Sequence, residues 1–379
     1  MKKTALIAAA IMSAATMITT SCSSDDNFQS MPSAPQAEVR FQTNISAMSR
    51  AVTTASNLKK FKTTAFLKQE GSRTTFMDGV TVENIDGVWQ TADKYMWPYN
   101  GTMTFYSVAP ATLNTTMPSS ADFDTKAPTF QFTASSDAAM QSDILYAVNA
   151  DHQYTGSVAS SVVNVNFRHA LSQVVFKAKC ENEQWQVDIS DVKIHNLKST
   201  GLYTMPLQTT SALGTENDIR GTWKLADDIN TYNTGIPEPK KNIGAETVEL
   251  TSSTSLPLLL LPQTTNAWDP IADAKCEKKG TYFTIRCQLR QKTAEGTQII
   301  IWPASGDNAY VDVAVPVSVK WEEGKKYTYT FNFKDGAGFI PPSQTGGGGT
   351  VLPGNPVLNA VSFSVSVDNF TDNSDEVKL

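Results

Sequence analysis

The side chains that most often carry catalysis are few and scattered in this sequence. Its three histidines are His152, His169 and His195, and none belongs to an H-E-x-x-H zinc motif. The sequence also contains no G-x-S-x-G nucleophile turn, no phosphate-binding P-loop and no G-x-G-x-x-G dinucleotide motif. His169 follows a strand-like run in NFRHALSQ, a position that favours packing in a turn over binding a metal. We therefore expect a protein that is not an enzyme and that needs no cofactor or metal.

The four cysteines suggest structural roles. Cys22 ends an N-terminal apolar run, which leaves Cys180, Cys276 and Cys287, so that at most one disulfide can form among these three. Cys287 shares one face of the predicted strand YFTIRCQLR with three apolar residues, which predicts a small buried side chain. A bridge from Cys180 to one of the other two stays an open alternative in an oxidising compartment.

Composition sets the broad class of the protein. The chain has 379 residues, of which 40% are hydrophobic, and this length predicts two domains, each with a core. Charged residues make up 18% of the chain, and the net charge is −6. An acidic chain without a basic stripe of interleaved aromatics argues against a nucleic-acid partner.

The N-terminus predicts an export signal over residues 1–21. Lys2 and Lys3 precede the apolar run ALIAAAIMSAATMI, which is too short to span a membrane and ends in TTSC. This arrangement resembles a bacterial lipoprotein signal, which implies fatty acylation of Cys22. The following SSDDN resembles the export tag of surface-exposed Bacteroidales lipoproteins. Thr19 stands where that signal usually has leucine, so an ordinary secretory signal is the alternative reading.

Strand patterns dominate the rest of the chain. Apolar residues alternate with polar ones in VRFQTNI, VVNVNF, YVDVAVPVSVKW and KYTYTFNF, and clusters of Gly, Asn, Asp and Pro separate these runs. Many short strands with such turns predict an all-β protein built from β-sandwiches. We expect one sandwich over residues 51–158 and a second over residues 159–335.

The C-terminal region carries one further strand pattern. Residues 336–356 are rich in Gly and Pro, which predicts a flexible or semi-extended tether. The appendage that follows, residues 357–379, contains VSFSVSV, in which Val361, Phe363, Val365 and Val367 share one face. A well-patterned strand after a tether suggests a role in assembly.

Several segments together resemble one known family. GVWQTADKYMWPYNGTMTFYSVAP is followed in order by DILYA, VNVNFRHALSQVVFKA, LLLLPQ and WEEGKKYTYTFNF, and this series resembles the fimbrillins of Bacteroidales. The resemblance covers nearly the whole chain after the signal. It implies two transthyretin-like β-sandwich domains, export as a lipoprotein and polymerisation into a type V pilus.

The resemblance also implies activation by proteolysis, commonly at an arginine ahead of the first domain. Arg50 followed by Ala51, in AMSRAVTTASN, is the matching position. Cutting there would remove the propeptide, residues 22–50, and with it the strand pattern VRFQTNI. The inward residues of this displaced strand are Val39, Phe41, Thr43 and Ile45. The C-terminal strand of another subunit would then fill the vacated position by strand addition.

These expectations define a role and its alternatives. We expect a stalk or accessory subunit of a fimbrium on the cell outer membrane that supports adhesion. Its expected partners are other subunits, a processing protease and, before cleavage, the membrane through its lipid. A tip or anchor subunit stays open. Seven scattered tryptophans make a lipid-anchored, glycan-binding surface protein the main alternative, and a hydrolase with two facing carboxylates comes third.

Overall fold

The computed structural model describes residues 37–45, 58–119, 121–211, 219–252, 257–342, 352–359 and 361–369. The first twelve strands are β1 (Arg40–Asn44), β2 (Lys60–Gln69), β3 (Ser72–Ile85), β4 (Val88–Thr91), β5 (Thr102–Ala109), β6 (Thr129–Thr133), β7 (Leu145–His152), β8 (Val162–Asn166), β9 (Arg168–His169), β10 (Ser172–Lys179), β11 (Trp185–Lys198) and β12 (Thr200–Thr204). The other twelve are β13 (Thr222–Leu225), β14 (Ile229–Asn233), β15 (Lys240–Ile243), β16 (Val248–Glu249), β17 (Leu258–Leu260), β18 (Tyr282–Lys292), β19 (Gln298–Trp302), β20 (Val311–Pro316), β21 (Lys325–Asn332), β22 (Gly338–Phe339), β23 (Pro356–Val357) and β24 (Ser362–Asn369).

Helical structure in the described ranges is limited to two 3-10 turns, Ala138–Met140 and Ala159–Ser161. Among the same residues, no helix has the length and apolar character needed to cross a membrane. The predicted all-β class is confirmed by these strands and turns.

The first sheet contains eight strands in the order β8-β1-β4-β3-β2-β5-β7-β9. Asn149 Nδ2 on β7 donates a hydrogen bond of 2.7 Å to the carbonyl oxygen of Asn164 on β8, although these strands lie near opposite ends of the sheet. The sheet therefore curls back on itself and encloses a core. Residues from both of its ends contribute to this core, among them Phe41, Phe105 and Val163.

Strands β5 and β7 are buried on both faces. Side chains alternate across a strand, so that Phe105 and Ala147 point into the enclosed core while Tyr106 and Tyr146 point the other way. A three-stranded sheet in the order β13-β12-β6 contributes to the core on this second side. This double burial explains why β5 and β7 read as nearly continuous buried runs.

The remaining strands form a second sandwich. One of its sheets has the order β16-β10-β21-β24, with β17 also paired to β10, and the other has the order β14-β11-β18-β20-β22-β23, with β15 and β19 added. The core between them centres on aromatic rings. Phe176 lies edge-on to Phe283, with ring centroids 5.4 Å apart, and is parallel to Phe331 at 5.9 Å.

Two strands that follow residue 158, β8 and β9, pair within the first sheet, and the second sandwich opens with β10. The predicted division into two domains stays a prediction. Within the Gly/Pro-rich segment, the described flanks pair with the protein, since β22 contacts β20 on one side and β23 on the other. Gly338 has φ +109°, and a Cβ there would lie 2.6 Å from the carbonyl oxygen of Ala314, so only glycine suits this close approach.

A buried carboxylate joins the two halves of the fold. Glu323, in the turn before β21, accepts hydrogen bonds from the hydroxyls of Tyr146 at 2.6 Å and Tyr203 at 2.9 Å. Tyr146 belongs to the first sheet, and Tyr203 belongs to β12. Burial, followed by the negative charge of Glu323, holds the pKa of both phenols well above the usual value, so both hydroxyls remain donors.

Replacing Glu323 tests this joint. Glu323→Ala leaves two buried hydroxyls without their acceptor, and we expect a loss of about 1–3 kcal/mol in the free energy of unfolding. Glu323→Gln keeps an acceptor oxygen at nearly the same volume and should lose less. Denaturant unfolding measures both variants. An Ala variant as stable as the parent would show that the network contributes nothing to stability.

Candidate functional site

The first strand is held unequally by its two neighbours. It pairs with β8 through five consecutive parallel residue pairs, which run from Arg40 beside Val162 to Asn44 beside Asn166. On its other side, β4 contributes a single pair, in which Phe41 lies opposite Trp89. Most of the β1 backbone is therefore paired on one side only.

An open cleft accompanies this sparse pairing. It has a volume of about 910 Å³ and is lined by residues of β1 and β4, including Arg40, Gln42 and Gln90. The lining contains one carboxylate, Glu38, so the cleft does not offer the paired acids that a glycosidase requires. We call the position of β1 between β4 and β8 the groove.

The inward side chains of β1 and its flanks complete the core of the first sheet. Val39, Phe41 and Ile45 are 6%, 8% and 8% exposed, and Thr43 is half-buried. The ring of Phe41 lies edge-on to Phe61 at 5.8 Å and to Phe105 at 6.0 Å. Burying three such apolar side chains stabilises the fold by roughly 5–9 kcal/mol. The groove therefore needs an apolar strand.

The C-terminal strand lies at a sheet edge in the second sandwich. Strand β24 pairs antiparallel with β21 along its full length, from Ser362 beside Asn332 to Asn369 beside Lys325. Its other edge has no neighbouring strand in the described part of the chain. This strand is therefore paired on one side only, like most of β1.

The inward side chains of β24 are less enclosed than those of β1. Phe363, Val365 and Val367 pack against the second core but stay half-buried, while Val361 is 6% exposed. The ring of Phe363 lies 6.3 Å from Phe283 and 6.1 Å from Tyr329. Strand β24 covers the edge of a core that already contains its own aromatic cluster.

The residues predicted for the displaced strand lie together, and so do those predicted for the donor strand, but the two sets face different cores. The four displaced-strand residues face the first core, and the four donor-strand residues face the second core. The two strands belong to different sheets. Cys22, Arg50 and Ala51 lie outside the described residues, so lipidation and cleavage stay predictions.

The remaining cysteines have the character of core residues. Cys180, Cys276 and Cys287 are buried and free, so the alternative of a disulfide finds no support. Burial is the first cause that raises the pKa of each thiol, which keeps all three protonated and weakly nucleophilic. Among the described residues, no cluster of His, Cys, Asp or Glu could hold a metal ion.

His195 is part of the packed interior. His195 stacks on Tyr282 with ring centroids 4.4 Å apart, and its ring nitrogens contact the hydroxyls of Thr231 and Thr284. Burial and then the charge of Lys193 lower the pKa of His195 to about 4, so it is neutral at physiological pH.

The tryptophans do not form a sugar-binding platform. All seven belong to described residues, and each is buried or half-buried. Trp97, for example, is 1% exposed and donates through Nε1 to the carbonyl oxygen of Ser161 at 3.0 Å. The exposed tryptophan cluster that would favour the glycan-binding alternative is therefore not found among these residues.

Sequence reasoning missed the sparse contact between β1 and β4 and the buried Glu323 network. Neither has a local signal, because both depend on segments far apart in the chain. The glutamate itself was visible in WEEGKKY, but its two tyrosine partners lie 177 and 120 residues away.

A substitution at Phe41 tests whether β1 completes the first core. Phe41→Ala should lower the free energy of unfolding by about 3–5 kcal/mol, because it leaves a cavity against Phe61 and Phe105. Gln42→Ala, on the exposed face of the same strand, should change stability by less than about 0.5 kcal/mol. Denaturant unfolding of the intact chain gives both values. Equal effects at the two positions would contradict the role assigned to the inward face.

The chain is similar to one family of sequences and to several solved structures. The sequence model of the fimbrillin-like family matches residues 49–353. No curated protein sequence shows a significant match. A fimbrial protein from Bacteroides vulgatus superposes with a TM-score of 0.52 at 15% identity, covering 88% of this chain and 99% of that chain. A protein from Bacteroides uniformis, provisionally described as a cell adhesion protein, superposes with a TM-score of 0.43 at 11% identity, covering 90% and 100%.

The Bacteroides vulgatus structure supports the fold alone at this level of identity, whereas the family match covers the chain from β2 to β22 and leaves out β1, β23 and β24. The resemblance predicted from the sequence is thereby confirmed: this chain belongs to the fimbrillin-like family.

Proposed function

We propose that this protein is a stalk or accessory subunit of a cell-surface fimbria, exported as a lipoprotein, activated by cleavage after Arg50 and polymerised by strand exchange, and that it supports adhesion. The family membership supports a structural, fimbrial role. One observation carries the mechanism: a strand near the N-terminus fills the groove, and a strand of matching pattern lies at a free sheet edge near the C-terminus.

Cleavage would turn the groove into a binding site. Removing residues 22–50 removes β1, which exposes apolar side chains of the first core, among them Phe61, Phe105 and Val163. It also leaves the backbone groups of β8 that pair with β1 without partners. Exposed apolar surface and an unpaired strand edge both favour capture of another strand.

The C-terminal strand suits this site better than its own edge position. At the edge, β24 pairs only with β21, and its inward side chains stay half-buried. In the groove it would pair mainly with β8 and bury its apolar face to the degree that the inward residues of β1 do. Strand β24 has eight residue pairs with β21, whereas β1 has five with β8 and one with β4. The gain would therefore come from burial of the apolar face and not from additional backbone pairing, less the cost of ordering the strand in its new position.

The arrangement favours a filament. The donor belongs to the second sandwich and the groove to the first sheet, so the contact between subunits is head-to-tail. A head-to-tail contact that does not close into a ring generates an open fibre. Until cleavage, β1 occupies the groove and keeps subunits apart during export.

The first test is the mass and N-terminal sequence of the protein taken from the cell surface. Proteolytic activation predicts a start at Ala51 and no lipid in subunits from fimbriae. Arg50→Ala should retain the propeptide and reduce assembly. If every surface copy began at acylated Cys22, polymerisation by this route would be excluded and an anchor role would be favoured.

The second test places a charge on the donor face. Phe363→Asp should abolish polymers, because an unpaired carboxylate cannot enter an apolar groove, while the subunit stays folded since this position is only half-buried at the sheet edge. Ser364→Asp, on the exposed face of the same strand, is the matched control and should assemble. Polymer ladders on denaturing gels and electron microscopy provide the measurement. A normal ladder from Phe363→Asp would contradict the donor role.

A further inference from the structure

The C-terminal strand repeats the pattern of β1 position by position. The segment around β1 reads VRFQTNI over residues 39–45, and the C-terminal segment reads VSFSVSV over residues 361–367. Their inward positions pair valine with valine, phenylalanine with phenylalanine, threonine with valine, and isoleucine with valine. The outward positions are polar in both segments. The two strands therefore agree in the place of their one aromatic residue, as well as in length and alternation.

The position of the phenylalanine makes each segment different when it is read in the two opposite directions. In both segments the phenylalanine is the second inward residue when the strand is read from its N-terminal end. Read from the other end, it becomes the third. A groove with a single slot for a phenyl ring can therefore distinguish the two orientations of an incoming strand.

The first core has such a slot at Phe41. Its ring is edge-on to Phe61, with an interplanar angle of 79°, and to Phe105, with an angle of 88°. Both neighbours are fully buried, and Phe61 also contacts Phe167 at 5.4 Å. Two aromatic rings thus contact the ring of Phe41, and one of them packs in turn on a third. Thr43, the next inward residue of β1, is half-buried and lies beside Val165.

Resting on the proposed strand exchange, we infer that the C-terminal strand of a second copy enters the groove in the same direction as β1, parallel to β8, with Phe363 in the slot of Phe41. Val361 then takes the place of Val39, and Val367 takes the place of Ile45. This register sets Ser366 beside Asn166.

The opposite orientation fits the groove poorly. It would place Val365 in the slot of Phe41, where a smaller side chain leaves a cavity among buried rings. It would also place Phe363 at the position of Thr43, where β1 carries a much smaller side chain. Backbone pairing alone allows either direction, because strands form both parallel and antiparallel ladders. The aromatic slot therefore selects the orientation.

Cysteine pairs can read out this orientation in assembled fimbriae. In the present structure, Asn44 Nδ2 lies 3.0 Å from Asn166 Oδ1, so a side chain in the place of Asn44 can reach residue 166. The full-length chain carrying Asn166→Cys and Ser366→Cys is assembled under reducing conditions and then oxidised. The matched control carries Asn166→Cys and Ser362→Cys. Within one subunit, residues 362 and 366 pair with β21 of the second sandwich, away from β8.

If the inferred direction is right, the variant with cysteines at 166 and 366 forms disulfide-linked multimers that a reductant dissolves. The variant with cysteines at 166 and 362 forms none. The native cysteines Cys180, Cys276 and Cys287 are buried, so they do not compete. Electron microscopy under reducing conditions establishes that each variant assembles. Exchanging the aromatic position, by Phe363→Val with Val365→Phe, keeps the composition and should reduce the crosslink between 166 and 366.

The outcomes separate this inference from the proposed function. Fimbriae that crosslink through 362 instead of 366 would overturn the inferred direction and leave strand exchange standing. Fimbriae that form but crosslink through neither pair would overturn the inferred register. If the parent chain cut at Arg50 forms no polymers, the proposed function fails, and the inference fails with it.

Discussion

The structure depends on one constraint: the core of the first sheet is complete only when an apolar strand lies between β4 and β8. The curled sheet brings Phe61, Phe105 and Val163 around a space that Phe41 fills. Yet β1 contributes only five residues to the sheet and has one pair with β4. The residues just before β1 are held on that side by the segment after β4, since Val39 N donates to the carbonyl oxygen of Tyr95 and Trp97 N donates to that of Ala37. The sparse pairing is therefore confined to β1 itself.

The two ends of the chain place similar strands in unequal surroundings. Of the four inward side chains in the segment around β1, all but Thr43 are almost fully enclosed, whereas in the segment around β24 only Val361 is, and the other three are half-buried. In the proposed strand exchange, this difference would favour movement of the C-terminal strand into the groove, since apolar area buried from water is the main favourable term in such contacts. In the isolated chain, β24 pairs with β21, and its inward face packs against the second core.

Strands β1 and β24 belong to different sheets, and a buried hydrogen-bond network connects the parts of the fold to which they belong. Tyr146, Tyr203 and Glu323 connect the first sheet, the three-stranded sheet and the turn that leads into β21. Strand β21, which pairs with β24, is therefore anchored at its start to the sheet that holds the groove. Buried thiols and a neutral histidine belong to the packing of this frame and add no reactive group to it.

The sequence by itself determined the all-β class, the alternation of strands and the family, because strand periodicity and family motifs are local in the chain. It also determined which faces of VRFQTNI and VSFSVSV are apolar. Only the tertiary structure decided that β1 runs parallel to β8 and nearly loses contact with β4, and that β24 pairs with β21. The Glu323 network likewise required the fold. These features join residues that lie apart in the chain, from 30 positions between Asn332 and Ser362 to 177 positions between Tyr146 and Glu323. A two-residue period carries no information about which strand becomes a neighbour.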